Sequence, residues 1–214
     1  MGRSYARAVE KEMELSYDPV LVNRVRGTGA RLAEVADRKE VSFYFNVIKS
    51  DEYNAFALPG GYIYIYDSLV QALKTDDQLA FVLAHEIAHV VARHNIKRLQ
   101  AIWGANLLVL GSSQIDSSGN MSAMAGIMTV INTLLSGYSQ EDELAADSLA
   151  VKYTEAAGFK PDAGIEVMAV LDEKDRDKPR QVTYFRTHPF SPQRIRRIKE
   201  KAGLPLNFSD VINS

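Results

Sequence analysis

Among the 214 residues of this chain, the stretch His85-Glu86-Ile87-Ala88-His89 carries the side chains best spaced for chemistry. Four residues of a helix turn about 400°, so the two imidazoles leave one face about 40° apart. Glu86 lies about 100° round from His85, away from a shared metal but within reach of a water beside it. HExxH on a helix therefore reads as two zinc ligands and a general base. Three fixed positions also arise by chance, so the surrounding elements must carry the weight.

Those elements predict a buried helix. Thr75 and Gln78 form a capping box, Asp76 and Asp77 suit the positive helix end, and Leu79, Val82, Leu83, Ile87, Val90 and Val91 make the surface largely apolar. Two histidines and a glutamate inside such a helix need partners, which a metal supplies. With no cysteine and four histidines, imidazole and carboxylate are the strong ligands available. His94 is roughly 900° past His85, half a turn out of phase. It is expected, like Arg93 and Asn95, to be polar structure near the helix end.

A second helix opens at Ser139 and ends at Gly158. Its dipole accounts for Glu141 and Asp142 in the first turn. Glu143 and Asp147, four apart on one face, fit another arrangement: Glu143 ligating a metal while Asp147 accepts an N–H from a ligand imidazole.

The rest of the chain must position these groups. Residues 4–15 and a segment from Asp18-Pro19 to about Asp37 read as helices, although Gly27 and Gly29 weaken the second by about 1 kcal/mol each. Residues 41–48 alternate as a strand, and Asn54 to Leu58 forms a hairpin with Tyr62 to Tyr66 across Pro59-Gly60-Gly61. A short helix covers 68–73, another covers 162–173, and a charged linker follows to Arg180. Thr187-His188-Pro189 is extended, and a last helix from Ser191 presents Arg194, Arg196, Arg197, Lys199 and Lys201 as a solvated basic face. These elements predict a mainly helical α+β domain spanning 1–214, with a small sheet whose edge strand faces the HExxH helix.

Residues 104–137 read as an inserted helical hairpin with Met121, Met124 and Met128. It is a core layer, a lid over a cleft, or a surface that touches a membrane or partner. With 46% hydrophobic and 24% charged residues the chain is globular, and its net charge of −2 disfavours nucleic acid. No apolar run reaches the 18 residues of a membrane span. The first residues show no signal-peptide core, so a signal or lipoprotein anchor would lie outside this sequence.

The HExxH stretch, Glu143-x-x-x-Asp147, Asn54-Ala55-Phe56 with Pro59-Gly60-Gly61, and Thr187-His188-Pro189 leading to Arg194-Ile195 together resemble the gluzincin metallopeptidases of HtpX and the CAAX prenyl proteases. Lacking membrane spans, the chain is most similar to the soluble BepA-like bacterial members. The resemblance covers roughly residues 18–202 in the family's order. BepA-like proteins often add a tetratricopeptide array, and no such repeat occurs here.

The resemblance implies a zincin-like fold and a zinc endopeptidase in bacterial envelope quality control, periplasmic or otherwise exported, with a cytoplasmic location as the alternative. It implies Zn2+ on His85, His89 and Glu143, with Glu86 as base and Asp147 behind His85. An unfolded or misassembled polypeptide would lie along Asn54 to Leu58, contacting Asn54 and Phe56. His188 would either stabilise the oxyanion or fill the open zinc position at rest, the bland alternative being a structural hydrogen bond. Two other functions stay open: a zinc-binding, chaperone-like or autoinhibited module with little proteolysis, and a structural zinc site.

Overall fold

In the computed structural model, which describes residues 2–101, 137–177, 183–208 and 210, alternation along the hairpin sorts side chains onto two faces of a small sheet. Strands β1 (Tyr44–Ile48), β2 (Ala55–Leu58) and β3 (Tyr62–Tyr66) lie in the order β1-β3-β2. β2 pairs antiparallel with β3, and β1 pairs parallel with it. Helices follow in chain order as α1 (Gly2–Glu12), α2 (Pro19–Val35), α3 (Asp67–Ala72), α4 (Asp76–Val91), α5 (Gln140–Ala156), α6 (Ala163–Asp177), α7 (Tyr184–Thr187) and α8 (Pro192–Lys201). The fold is mainly helical α+β, as expected.

Ala55, Ala57, Ile63 and Ile65 enter the core shared with α2, α4, α5 and α6. Phe56, Leu58, Tyr64 and Tyr66 point to the other face, where Tyr5, Ala8 and Val9 of α1 cover them. The small alanines of β2 thus face the packed helices, and α4 contacts both β2 and β3. Being at the edge of the sheet, β2 is the strand that faces α4, which matches the expected arrangement.

The capping box forms as predicted: Gln78 N donates to Thr75 Oγ1 at 3.2 Å and Thr75 N to Gln78 Oε1 at 3.4 Å. Every residue from Gln78 to Val90 is buried. The helix stops at Val91, Arg93 takes a left-handed φ of 60°, and residues 94–101 are helical again. α5 packs along α4, and α8 along α5.

The first helix ends at Glu12, earlier than expected, because residues 14–16 leave it to pair with β1: Ser16 N donates to Val47 O and Lys49 N to Glu14 O, both at 2.8 Å. β1 itself starts late, at Tyr44, where the preceding residues pass over the turn. A Cβ on Gly61, whose φ is 85°, would stand 2.2 Å from Ser42 O.

The two glycines inside α2 have different reasons. A Cβ on Gly29 would stand 2.7 Å from the Phe45 ring, whereas one on Gly27 would meet nothing within 4 Å. Urea unfolding should therefore show Gly27→Ala stabilised by about 0.5–1 kcal/mol through helix propensity. Gly29→Ala should lose about 1–3 kcal/mol through overpacking against β1. The insertion expected at 104–137 lies, apart from Gly137, outside the described residues.

Candidate metal centre

His85 and His89 are fully buried on α4 with their Nε2 atoms 3.0 Å apart. Ser139 Oγ accepts from Asp142 N at 3.1 Å, which starts α5 and sets Glu143 in its first turn facing α4. Glu143 Oε2 lies 3.4 Å from His85 Nε2, and Oε1 lies 3.3 Å from His89 Nε2. His188, just after α7, brings Nδ1 to 3.3 Å from His85 Nε2 and 3.2 Å from Glu143 Oε1.

A metal with four tetrahedral ligands at about 2.1 Å would hold them about 3.4 Å apart. The five separations above run from 3.0 to 3.4 Å, and the four side chains offer one atom each within 4.8 Å of one another. Two imidazoles, a carboxylate and a third imidazole form a donor set suited to zinc. Glu86 is buried beside them. Neither of its oxygens makes a hydrogen bond, and Oε1 lies 3.2 Å from His188 Nε2.

The profile of peptidase family M48 matches residues 20–202. The chain belongs to peptidase family M48. Members of this family use a metal ion, which the buried His/Glu group of this M48 chain can accommodate. The chain is 28% identical to the beta-barrel assembly-enhancing protease of Yersinia pestis, over 95% of its own length and 43% of that protein. It is 31% identical to the mitochondrial metalloendopeptidase OMA1 of Schizosaccharomyces pombe, over 86% of its length and 54% of that protein. With metalloprotease LoiP of Escherichia coli K12 it shares 28% identity, over 73% of its length and 62% of that protein. The chain thus spans only about half the length of these relatives.

Around the M48 centre a charged layer orients the histidines. Asp147 Oδ1 lies 3.0 Å from His85 Nδ1 on the side away from the cluster. Arg194, entirely buried, donates from Nε and Nη2 to the two oxygens of Asp147 at 2.7 and 2.8 Å. Its Nη1 lies 2.7 Å from Glu143 Oε2 and donates to His188 O at 3.3 Å. The expected solvated basic face is corrected here: Arg194 shares the inward side of α8 with Ile198, so it faces carboxylates and not solvent.

His94 also differs from expectation in part. It is polar structure after α4, yet the left-handed Arg93 turns it back so that its Nδ1 lies 3.0 Å from His89 Nδ1 and its Nε2 3.3 Å from Asp142 Oδ1. Tyr138 stacks on His89 with ring centroids 3.8 Å apart, and Tyr184 stacks on His188 at 4.4 Å. Neither tyrosine was among the sequence candidates. Of the two substrate-binding candidates, Asn54, just before β2, accepts through Oδ1 from Ala55 N at 2.9 Å and from Thr187 Oγ1 at 3.1 Å. Phe56 points to the far side of the sheet and stacks on Tyr64 at 5.2 Å.

Burial works against an imidazolium at His85, but Glu143 and Asp147 outweigh it and hold the pKa up at about 9. Burial keeps His89 well below the ordinary value of 6.5. Burial opposes ionisation of Glu143, yet His188, Arg194 and His85 together pull its pKa well down. Glu86 is raised, by burial first, with His188 and His85 only partly compensating.

A testable consequence concerns protons. In the metal-free protein His85 is protonated at pH 7 and must lose its proton to bind a metal, so affinity should rise with pH up to about 9. Calorimetric titration of Zn2+ at pH 7, in buffers of different ionisation enthalpy, should show about one proton released per ion bound. Metal-free stability has the opposite sign. The raised His85 pKa stabilises the fold fully below 6.5, and that contribution is lost as pH rises toward 9.

Proposed function

We propose that this chain is a zinc-dependent endopeptidase working in protein quality control at a bacterial envelope, in the periplasm or a similar exported location. The observation that carries the catalytic part is the buried convergence of His85, His89 and Glu143 at tetrahedral spacings beside the Glu86 carboxylate, whose oxygens make no hydrogen bond. Support for the envelope comes from relatives named as beta-barrel assembly-enhancing proteases. No described helix is long and apolar enough to cross a membrane. In this reading 1–214 is one peptidase domain.

His85, His89 and Glu143 would hold the ion, which when bound would supply Lewis acidity toward a water and the scissile carbonyl. Glu86, poised by its raised pKa, takes a proton from the attacking water and passes it to the leaving amine. Asp147 keeps the His85 proton on Nδ1, so that Nε2 is free to ligate. Arg194 in turn orients Asp147. An unfolded polypeptide lies extended along the edge of β2, with Asn54 fixing the register and Phe56 bracing the strand from its far face.

A second reading, an autoinhibited zinc module with little proteolysis, draws on His188. Its Nδ1 stands 3.3 Å from His85 Nε2 and 3.2 Å from Glu143 Oε1, where a fourth ligand belongs. If this position is blocked at rest, His188→Ala should raise casein hydrolysis by roughly tenfold at unchanged zinc content. A fall in hydrolysis would instead assign His188 to the oxyanion.

A further inference from the structure

We propose that Asn95 is a positioning residue whose carboxamide occupies a main-chain position of the substrate on the edge of β2, and that a bound peptide displaces it. The inference rests on the peptidase reading and specifies what the substrate strand must replace.

The parity of the hairpin decides which groups face outward. Tyr66 N donates to Asn54 O at 2.9 Å, so 54 and 66 form a hydrogen-bonded pair. Antiparallel pairs alternate, so the main chains of Phe56 and Leu58 also turn toward β3 while Ala55 and Ala57 present theirs to the free edge. These two residues are buried, so their outward N–H and C=O groups need partners.

Side chains meet three of the four. Asn54 Oδ1 accepts from Ala55 N at 2.9 Å, His188 Nε2 lies 3.4 Å from Ala55 O, and Asn95 Nδ2 donates to Ala57 O at 2.9 Å. With the His188 proton on Nε2, that is one acceptor and two donors, the set a paired peptide strand would offer the same atoms. A substrate therefore exchanges bonds with these side chains.

Asn95 is the member built most like a peptide group. While Nδ2 donates to Ala57 O, its Oδ1 accepts from the hydroxyl of Tyr138. Tyr138 stacks on His89, and its backbone N donates to Thr187 O at 3.1 Å, next to His188. Asn95 can reach the strand because α4 stops and Arg93 adopts a left-handed φ of 60°. Such a conformation is disfavoured for a residue with a Cβ. A peptide bound at Ala57 O must release Asn95, and so gains only the difference between two hydrogen bonds.

The test measures binding of a fluorescein-labelled casein-derived decapeptide by anisotropy, in a Glu86→Gln background so that the probe is not consumed. Asn95→Ala should lower its Kd by about threefold to tenfold, because no internal donor competes for Ala57 O. Tyr138→Phe keeps the stack on His89 but removes the anchor of Asn95, and should shift Kd the same way by less. A series of backbone esters in the decapeptide adds a readout that a merely structural role would not move. One amide-to-ester change should weaken binding more in Asn95→Ala than with Asn95 present, since Ala57 O then has no alternative donor.

Unchanged or weaker binding in both variants overturns the inference, as does the absence of binding by every form. Should Asn95→Ala not fold, Tyr138→Phe decides alone. Cleavage of the unlabelled decapeptide by the wild type is scored separately. Tighter binding without any cleavage rejects hydrolysis and keeps the edge assignment; cleavage with unaltered binding does the reverse.

Discussion

Glu86→Gln is expected to keep its metal and lose hydrolysis of casein by about a thousandfold, the range of a missing general base. The side chain is fully buried and neither oxygen makes a hydrogen bond. Burial raises its pKa, followed by the charge of Glu143, while His188 and His85 pull the other way. Such a carboxylate has no hydrogen bond to lose, its one close contact being His188 Nε2 at 3.2 Å, and glutamine matches it in size without a buried charge. Thermal unfolding and zinc content should therefore stay near wild type while the rate collapses. A fully active Glu86→Gln enzyme would remove Glu86 from the mechanism.

Arg194→Met should have the largest effect on stability, a loss of about 3–5 kcal/mol in urea unfolding of the metal-free protein. The guanidinium is wholly enclosed and faces two carboxylates, Asp147 at 2.7 and 2.8 Å and Glu143 at 2.7 Å. Methionine keeps much of the volume, so the charge is what is removed. Two buried anions then face one another with only His85 between them.

Burial would raise the pKa of Asp147, but Arg194 first and His85 second hold it below the ordinary 3.8. A depressed carboxylate stabilises the fold above its unfolded pKa and loses that contribution as pH falls, so the variant should lose most of its margin near neutral pH. Adding Asp147→Asn should restore part of the loss. Bound zinc should restore part as well, since it brings positive charge to the same carboxylates. A variant as stable as wild type would show that the ion pair only offsets its own desolvation.

Much of the centre was legible because its signals are local. The four-residue spacing put His85 and His89 on one helix face, and the same spacing paired Glu143 with Asp147. The capping box fixed where the buried helix begins, and the hairpin turn put Ala55 and Ala57 on one face of the sheet with Phe56 on the other. What escaped depends on partners distant in sequence. Arg194 looked like one member of a solvated charge run, and only the packing of α8 on α5 turns it inward. Its position four before the buried Ile198 was the available hint.

Tyr138 and Tyr184 acquire meaning only through the rings they stack on, which belong to other elements. Asn95 was expected to be mere helix-end polarity, because nothing in its neighbourhood announces Ala57 as its partner. The parallel pairing of β1 with β3 was likewise not visible in an alternation that any pairing would satisfy.

The central claim is that the buried histidines and Glu143 hold a catalytic zinc ion. It is tested most directly by measuring the zinc content and casein hydrolysis of the purified protein, then repeating both after chelation and after adding back Zn2+. The expected result is about one zinc per chain, with hydrolysis lost on chelation and regained with zinc, and neither zinc nor activity retained when Glu143 and His89 are both replaced by alanine. Hydrolysis that persists in the zinc-free protein, or zinc that stays bound without His89 and Glu143, would contradict it.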